Sequence, residues 1–272
     1  PAAAGDDPQV IDVLDIKNLN PEDITVGEIS PTCGKAAMEW VTRAGELALA
    51  GVVAGLATAP LNKEAASLAG YQSIGHMELL QELSGAKTVA TMLLAKNLRV
   101  VHLSTHRSLR IACDYVKKDR ILEFLQLTHD NFVTWGFKSP RIGAAALNPH
   151  GSDGGLLGNE EAEEIAPAVE AARQRGIDVT GPVPADIIFH QAIQGRYDAV
   201  LCMFHDQGHI PVKVYGFEES ITANLGLPFV RTSVDHGTAF DIAGKGIASE
   251  VSMLESIRLA VGLAKGNGLS DF

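Results

Sequence analysis

Segments of helical and strand periodicity alternate along the whole 272-residue chain, and this alternation restricts its fold more than any other feature. Helical patterns cover 35–50, 62–68, 77–84, 107–115, 119–135, 160–175 and 249–264. Strand patterns cover 52–57, 88–94, 99–103, 141–146, 199–204 and 228–232. Such an order predicts an α/β protein built on a mostly parallel sheet. The short Ala-Lys-Asn-Leu link between 88–94 and 99–103 predicts one hairpin inside that design. No internal repeat or low-complexity linker divides the chain, so two lobes would have to be interleaved rather than strung end to end.

Composition narrows the class. With 46% hydrophobic and 20% charged residues, the chain is an ordinary globular one. A formal charge of −11 with no basic stripe argues against nucleic acid or an anionic membrane as partner. No run of 18 apolar residues exists to span a bilayer. The opening PAAAGDDPQV lacks the pattern of a signal peptide and an initiator Met, so a cytoplasmic protein is expected, and a gene product longer than the numbered chain. Cys33, Cys113 and Cys202 follow no paired spacing; two lie in apolar contexts, which predicts buried free thiols in a reducing compartment.

Chemistry-bearing residues collect where strand patterns stop. The pattern 99–103 runs into Ser104-Thr105-His106, 141–146 runs into Leu147-Asn148-Pro149-His150, and 199–204 runs into His205-Asp206. In open α/β sheets ligands gather beyond the carboxyl ends of strands. Three imidazoles delivered there can bind one divalent cation with positions left open for substrate or water. Singly, each is better explained as a turn cap; three at one topological place reverse that preference. His102, His129 and His190 fall within strand, helix and apolar patterns and read as structural, while His209 stays unassigned.

Other polar clusters are weaker signals. In 58-TAPLNKEA-65, Asn62 is expected to cap a short helix, and His76 opens another where amide donors suit an anion. Lys213, and Arg231 at the end of its strand pattern, are candidate anion clamps. The loop 235-DHGTAFDIAGKGIAS-249 places Gly237, Gly244 and Gly246 within ten residues, a looser pattern than a GxGxxG turn.

The runs ALNPHGSDGGLLGNEE, GPVPADIIF, MFHDQGHIPVK and NLGLPFVRTSVDHGTA closely resemble the 4-hydroxythreonine-4-phosphate dehydrogenase family of vitamin B6 biosynthesis, from about Thr25 onward. The loop HGTAFDIAGKGIAS also looks like the corresponding loop of isocitrate and isopropylmalate dehydrogenases. The resemblance implies two interleaved α/β/α lobes with the active site in their cleft, the chain forming one catalytic unit over 1–272. It implies NAD-dependent oxidation of a secondary alcohol followed by decarboxylation of the β-keto acid. A divalent cation (Zn²⁺, Mg²⁺, Mn²⁺ or Co²⁺) would be held by His106, His150 and His205, at a site shared across a homodimer. His76 falls on a substrate-binding His, and Lys213 and Arg231 on phosphate and substrate contacts. Asp186 and Asp206 match acidic residues near the site, and either an aspartate or Lys213 would carry the proton. His236, Gly237, Thr238 and Asp241 fall on the cofactor loop, where a carboxylate at Asp241 favours NAD over NADP.

Departures from the family concern the substrate. Met77 replaces a Thr after the helix-opening His, and Thr222 with Asn224 reverses the family's order of Asn and Thr. The form HDQGHIPVK is similar to paralogues acting on four-carbon acid phosphates or aromatic cis-diols, and retention of Lys213 and Arg231 favours a phosphate. The family's opening strand and GDPAGIGPE-type turn are missing from this sequence. The expected activity is oxidation and decarboxylation of 4-hydroxythreonine 4-phosphate, with D-threonate or D-erythronate 4-phosphate as the alternative substrate. A metal-dependent hydrolase and a non-catalytic binding protein are the rival classes.

Overall fold

The computed structural model describes residues 5, 7, 9–73 and 75–268; most of the opening segment discussed above lies outside them. In chain order the elements are α1 (Pro31–Leu49), β1 (Gly55–Thr58), α2 (Lys63–Leu68), α3 (His76–Ser84), β2 (Ala90–Ala95), β3 (Leu98–His102), α4 (Leu109–Asp114), α5 (Lys118–Thr134), β4 (Ile142–Ala145), α6 (Ala166–Gln174), β5 (Val179–Val183), α7 (Ala185–Ile193), β6 (Ala199–Cys202), α8 (His205–Tyr215), β7 (Ile221–Leu225), β8 (Val230–Val234) and α9 (Val251–Ala264).

The strands form one mixed eight-stranded sheet in the order β1-β8-β7-β2-β3-β6-β4-β5. The β2–β3 hairpin is present as expected, antiparallel with Met92 opposite Val101. Strands β3, β6 and β4 run parallel, so their carboxyl ends share one edge. β1, β8 and β7, from the two ends of the chain, form one side of the sheet, and the five strands from the middle of the chain form the rest.

Sequence and structure differ in informative places. α1 begins four residues before its apolar pattern because Ser30 caps it, accepting from the Cys33 amide, and Pro31 presets the first turn. The stretch after Phe204, read as a turn, is helix α8, in which Gly208 and Pro211 hide the helical pattern. Gly208 is needed there: a Cβ would lie 2.5 Å from His102 Nε2 and 2.7 Å from Cys202 Sγ. Without it, α8 packs directly on β3 and β6. β5, β7 and α7 carry no counterpart among the expected elements. Of the three free thiols only Cys202 is fully buried, which raises its pKa through desolvation; Cys33 and Cys113 are half-buried, contrary to expectation.

Side chains alternate across strands, and residues paired in register share a face. One face of the sheet presents Met92, Leu94, Val101, Leu201 and Ala223 to the core beneath α5, α6 and α9, with Phe132 fully buried in it. On the opposite face two smaller apolar clusters form. One, around Val41, Leu56 and Leu80, lies under α1 and α3; the other, around Leu93, Val100, Val200 and Val212, lies under α7 and α8. The register places Thr58, Arg231, Ser233, Thr222, Asn224, Thr91 and His102 on that same face.

Candidate active site

The polar stripe is organised around a buried guanidinium. Arg231 lies near the start of β8, not at a strand end as expected, and is 6% exposed. Its Nε and Nη2 donate to Thr58 Oγ1 (3.1 and 2.6 Å), and Nη1 donates to Asn224 Oδ1 (2.7 Å). Burial lowers its pKa to about 10, against a smaller opposing pull from the Glu78 carboxylate. Among the described residues no carboxylate forms an ion pair with it.

His76 opens α3 beside this group, and Asn62 caps α2 through the Ala65 amide (2.8 Å), as expected. Desolvation, then the positive charges of Arg231 and Lys63, hold His76 neutral, with its pKa lowered to about 4. Met77 is half-buried and its sulfur accepts from Thr91 Oγ1 (3.3 Å). Thr222 Oγ1 donates toward Ser233 O (3.4 Å), so both residues of the reversed pair line the Arg231 face.

The histidines meet at the shared edge. His106 and His205 approach with ring centroids 6.0 Å apart. Burial, then Lys63 and His205, lower the pKa of His106 and favour its neutral, ligating form. His205 Nδ1 donates to Asp206 Oδ1 (2.6 Å), which leaves Nε2 as the free donor of a lone pair. This donor chemistry fits a divalent cation. His150 is presented differently, on an exposed turn in which residues 150–155 all have positive φ. Among the described residues no three His, Cys, Asp or Glu side chains converge closely enough within one chain to hold an ion.

That left-handed turn is anchored by a residue the sequence reading missed. Glu161, 3% exposed, accepts from the amides of Leu147 (2.8 Å) and Asn148 (2.7 Å) and from Asn148 Nδ2 (2.9 Å). Asp186 is exposed in the first turn of α7, close to this loop, since Pro184 Cγ lies 3.9 Å from where a Gly151 Cβ would stand.

Lys213, expected at a strand end, instead lies in the last turn of α8, where its Nζ pairs with Asp235 Oδ2 (2.7 Å). Ser220 Oγ donates to the same oxygen (2.6 Å). Asp235 opens the glycine-rich loop, and its place directly after β8, ahead of His236, is the sequence signal for its role. A cleft of about 490 Å³ is lined by Lys213, Phe217, Asp235, His236, Gly237 and Ile242. Its apolar walls with a few polar groups fit part of a dinucleotide. Thr238 and Asp241 lie on the adjoining loop and do not line that cleft. His102 and His209, read as structural and unassigned, stand immediately behind His205, whereas His129 and His190 lie on α5 and α7.

A mixed α/β sheet with imidazoles beyond its carboxyl edge, a buried guanidinium on one face and a cleft beside the loop after β8 defines a candidate enzyme of the α/β class. Comparison with known proteins narrows it. Residues 2–260 match the family model described as pyridoxal phosphate biosynthetic protein PdxA. A protein of Fusobacterium nucleatum named "Putative D-threonate 4-phosphate dehydrogenase" is 47% identical over 251 residues, covering 92% of this chain and 75% of that protein. A protein of the same name from Halalkalibacterium halodurans is 48% identical over 250 residues, with the same coverage. The crystal structure of 4-hydroxythreonine-4-phosphate dehydrogenase from Klebsiella pneumoniae superposes with a TM-score of 0.91 at 45% identity, covering 97% of this chain and 80% of that one. The chain belongs to the PdxA family. It is an oxidoreductase of the dehydrogenase class. No helix among the described residues is long and apolar enough to cross a membrane.

Proposed function

We propose that this chain oxidises the C3 hydroxyl of a phosphorylated four-carbon acid with NAD, and that the resulting β-keto acid loses CO₂. The observation that carries this reading is the buried guanidinium of Arg231, which pairs with no carboxylate among the described residues. Thr58 and Asn224 take three of the five N–H donors such a group carries. The remaining two face an environment that costs several kcal/mol to charge unless an anion arrives. His76, held neutral beside it, adds a hydrogen bond without a competing charge.

His106 and His205 of one chain, with His150, are the ligands proposed for a divalent cation, in a site that a second copy of the chain completes. When bound, the cation supplies a Lewis acid that lowers the pKa of the substrate alcohol and stabilises negative charge on decarboxylation. The chain's own groups do the rest. Arg231 and His76 anchor the acid, Asp206 keeps His205 in one tautomer, and Lys213 holds or returns a proton beside Asp235. When bound, NAD would accept the hydride released from C3; the alcohol proton leaves to a base (Lys213, Asp186 or Asp206), and the carboxyl carbon departs as CO₂. A proton then returns to C2. His236, Gly237, Thr238 and Asp241 are proposed to cradle the cofactor.

Two kinds of substrate satisfy this chemistry, 4-hydroxythreonine 4-phosphate and the hydroxy acids D-threonate or D-erythronate 4-phosphate, which differ at C2 by amino against hydroxyl. The second is favoured by the names of the curated relatives and by Met77, whose sulfur occupies the hydroxyl of Thr91 where the family carries a Thr. NADH formation is to be measured on both phosphates and on D-erythronate 4-phosphate. Turnover on the hydroxy acids well above that on the amino acid assigns a hydroxy-acid phosphate, and the faster of the two identifies it; the reverse assigns the B6 intermediate. Product formed without nicotinamide reduction overturns the dehydrogenase reading.

A further inference from the structure

The geometry points to His209 as a positioning residue that fixes the imidazole of His205 by stacking and is itself fixed by His102. The inference rests on the proposed role of His205 as a ligand of a divalent cation. The His205 and His209 rings are one helical turn apart on α8 and lie nearly parallel, centroids 3.6 Å apart and planes inclined by 13°. His209 is not free to leave that position. Its Nδ1 is 3.0 Å from His102 Nε2 and 3.1 Å from the His205 carbonyl.

His102 supplies the rigid end of this chain. It is 1% exposed, in the middle of the sheet, and its Nδ1 is 3.3 Å from the carbonyl of Thr91 on the neighbouring strand. A proton on His102 Nδ1 is donated to that carbonyl, so Nε2 accepts from His209 Nδ1–H. The tautomers follow from the partners present. Gly208 lets α8 descend far enough for this bond, because any Cβ at 208 would strike His102 Nε2. A backbone carbonyl on β2 thus holds a ring on β3, which holds a ring on α8, which covers one face of His205. Asp206 holds the edge of the same ring through Nδ1. With one face and one edge fixed, His205 keeps Nε2 aimed in a single direction. Groups that orient a ligating imidazole in this way typically change metal affinity 10- to 100-fold when removed.

Two substitutions separate the parts. His209→Asn keeps an N–H donor near the position of Nδ1 but deletes the stacked ring. His209→Phe keeps a ring and deletes the donor, leaving His102 Nε2 without a partner. Co²⁺ is titrated into the whole chain and followed by equilibrium dialysis and by the visible absorption of the bound ion. The expected result is about a 10-fold weaker dissociation constant for His209→Asn, with a shifted Co²⁺ spectrum and an unchanged thermal midpoint. A purely structural role would move the midpoint and leave the spectrum alone. Wild-type affinity and spectrum in His209→Asn overturn the proposal. Should that variant not fold, His209→Gln, which also removes the ring and keeps an amide N–H, decides it by the same measurement. His205→Ala serves as the reference: if it binds Co²⁺ as tightly as the wild type, the ligand reading itself fails, whereas loss of binding there with unchanged His209 variants defeats only the positioning role.

Discussion

The two faces of the central sheet are made from the same strands and serve opposite ends. In β7, Ile221, Ala223 and Leu225 enter the large core while Thr222 and Asn224 turn to the other side. In β8 the same split places Thr232, bonded to the carbonyl of Ser256 on α9, opposite Arg231 and Ser233. The apolar face is stabilised by area removed from water, a sum over many side chains. The polar face is held by a few directed bonds to one buried charge, and burying that charge opposes stability unless its partners are ideal. Damage to the two faces should therefore separate cleanly into loss of folding and loss of function.

The largest effect is expected on the apolar side. Phe132 is fully buried between Trp135 and Phe137, with ring centroids 5.5 and 5.0 Å away. Phe132→Ala should cost about 3–5 kcal/mol of stability. In urea unfolding the midpoint falls with an unchanged slope, while the Michaelis constant of the folded fraction stays at the wild-type value. A changed Michaelis constant would break the separation of the faces.

Arg231→Met should show the opposite profile. It removes the guanidinium that Thr58 and Asn224 orient, and each charge-assisted bond to a substrate anion is worth about 1.5–3 kcal/mol. Catalytic efficiency should fall roughly 10- to 150-fold per bond lost, with stability equal to the wild type or higher. Arg231→Lys should not rescue it, because an ammonium lacks the planar fork that meets Thr58 and Asn224 together. A strongly destabilised Arg231→Met with intact substrate affinity would reassign the residue from the site to the core.

The difference between the faces also explains what was legible in the sequence. Apolar periodicity revealed α5, α9 and the β2–β3 hairpin because burial on one side is written residue by residue. The carboxyl-end histidines were legible because three strand patterns end in the same residue type. α8 was hidden because its inner face, Gly208, His209 and Val212, is chosen for close approach and for a bond to His102, not for hydrophobicity. β7 was overlooked although ITANL alternates cleanly; Asn224 meets Arg231 and Thr222 meets Ser233, partners on the neighbouring strand that no local pattern reveals. Asp235 and Glu161 escaped for the same reason, since each is defined by what folds against it. The role of His102 was invisible because a histidine inside a strand reads as core, which it also is.

The pH response of the polar face offers a further separation. His76 in the folded chain has its pKa lowered to about 4 from an ordinary value near 6.5. Below pH 6.5 the unfolded chain takes up a proton that the folded chain refuses. The contribution of His76 to stability is therefore fully present above pH 6.5 and is lost as the pH falls toward 4, on the order of 2–3 kcal/mol. His76→Gln should flatten that part of the wild-type stability curve between pH 6.5 and 4. An equal slope in the variant would show that His76 is not desolvated beside Arg231.

The smallest effect is expected where the polar face meets its least regular segment. Glu161 uses both carboxylate oxygens to hold the start of the turn that presents His150, accepting two amides on Oε1 and the Asn148 side chain on Oε2. In Glu161→Gln the carbonyl oxygen can still serve the two amides, but the side-chain nitrogen then confronts the Asn148 nitrogen. One buried contact between like donors replaces one charge-assisted bond, a loss of about 1–2 kcal/mol. Because residues 150–155 all adopt positive φ, including His150, Ser152 and Asp153, the turn persists only while its flanks determine it. Amide hydrogen exchange should therefore quicken over 147–158 in this variant while β7 and β8 keep their protection. Uniform quickening across the sheet would show that Glu161 supports the fold as a whole and not this loop.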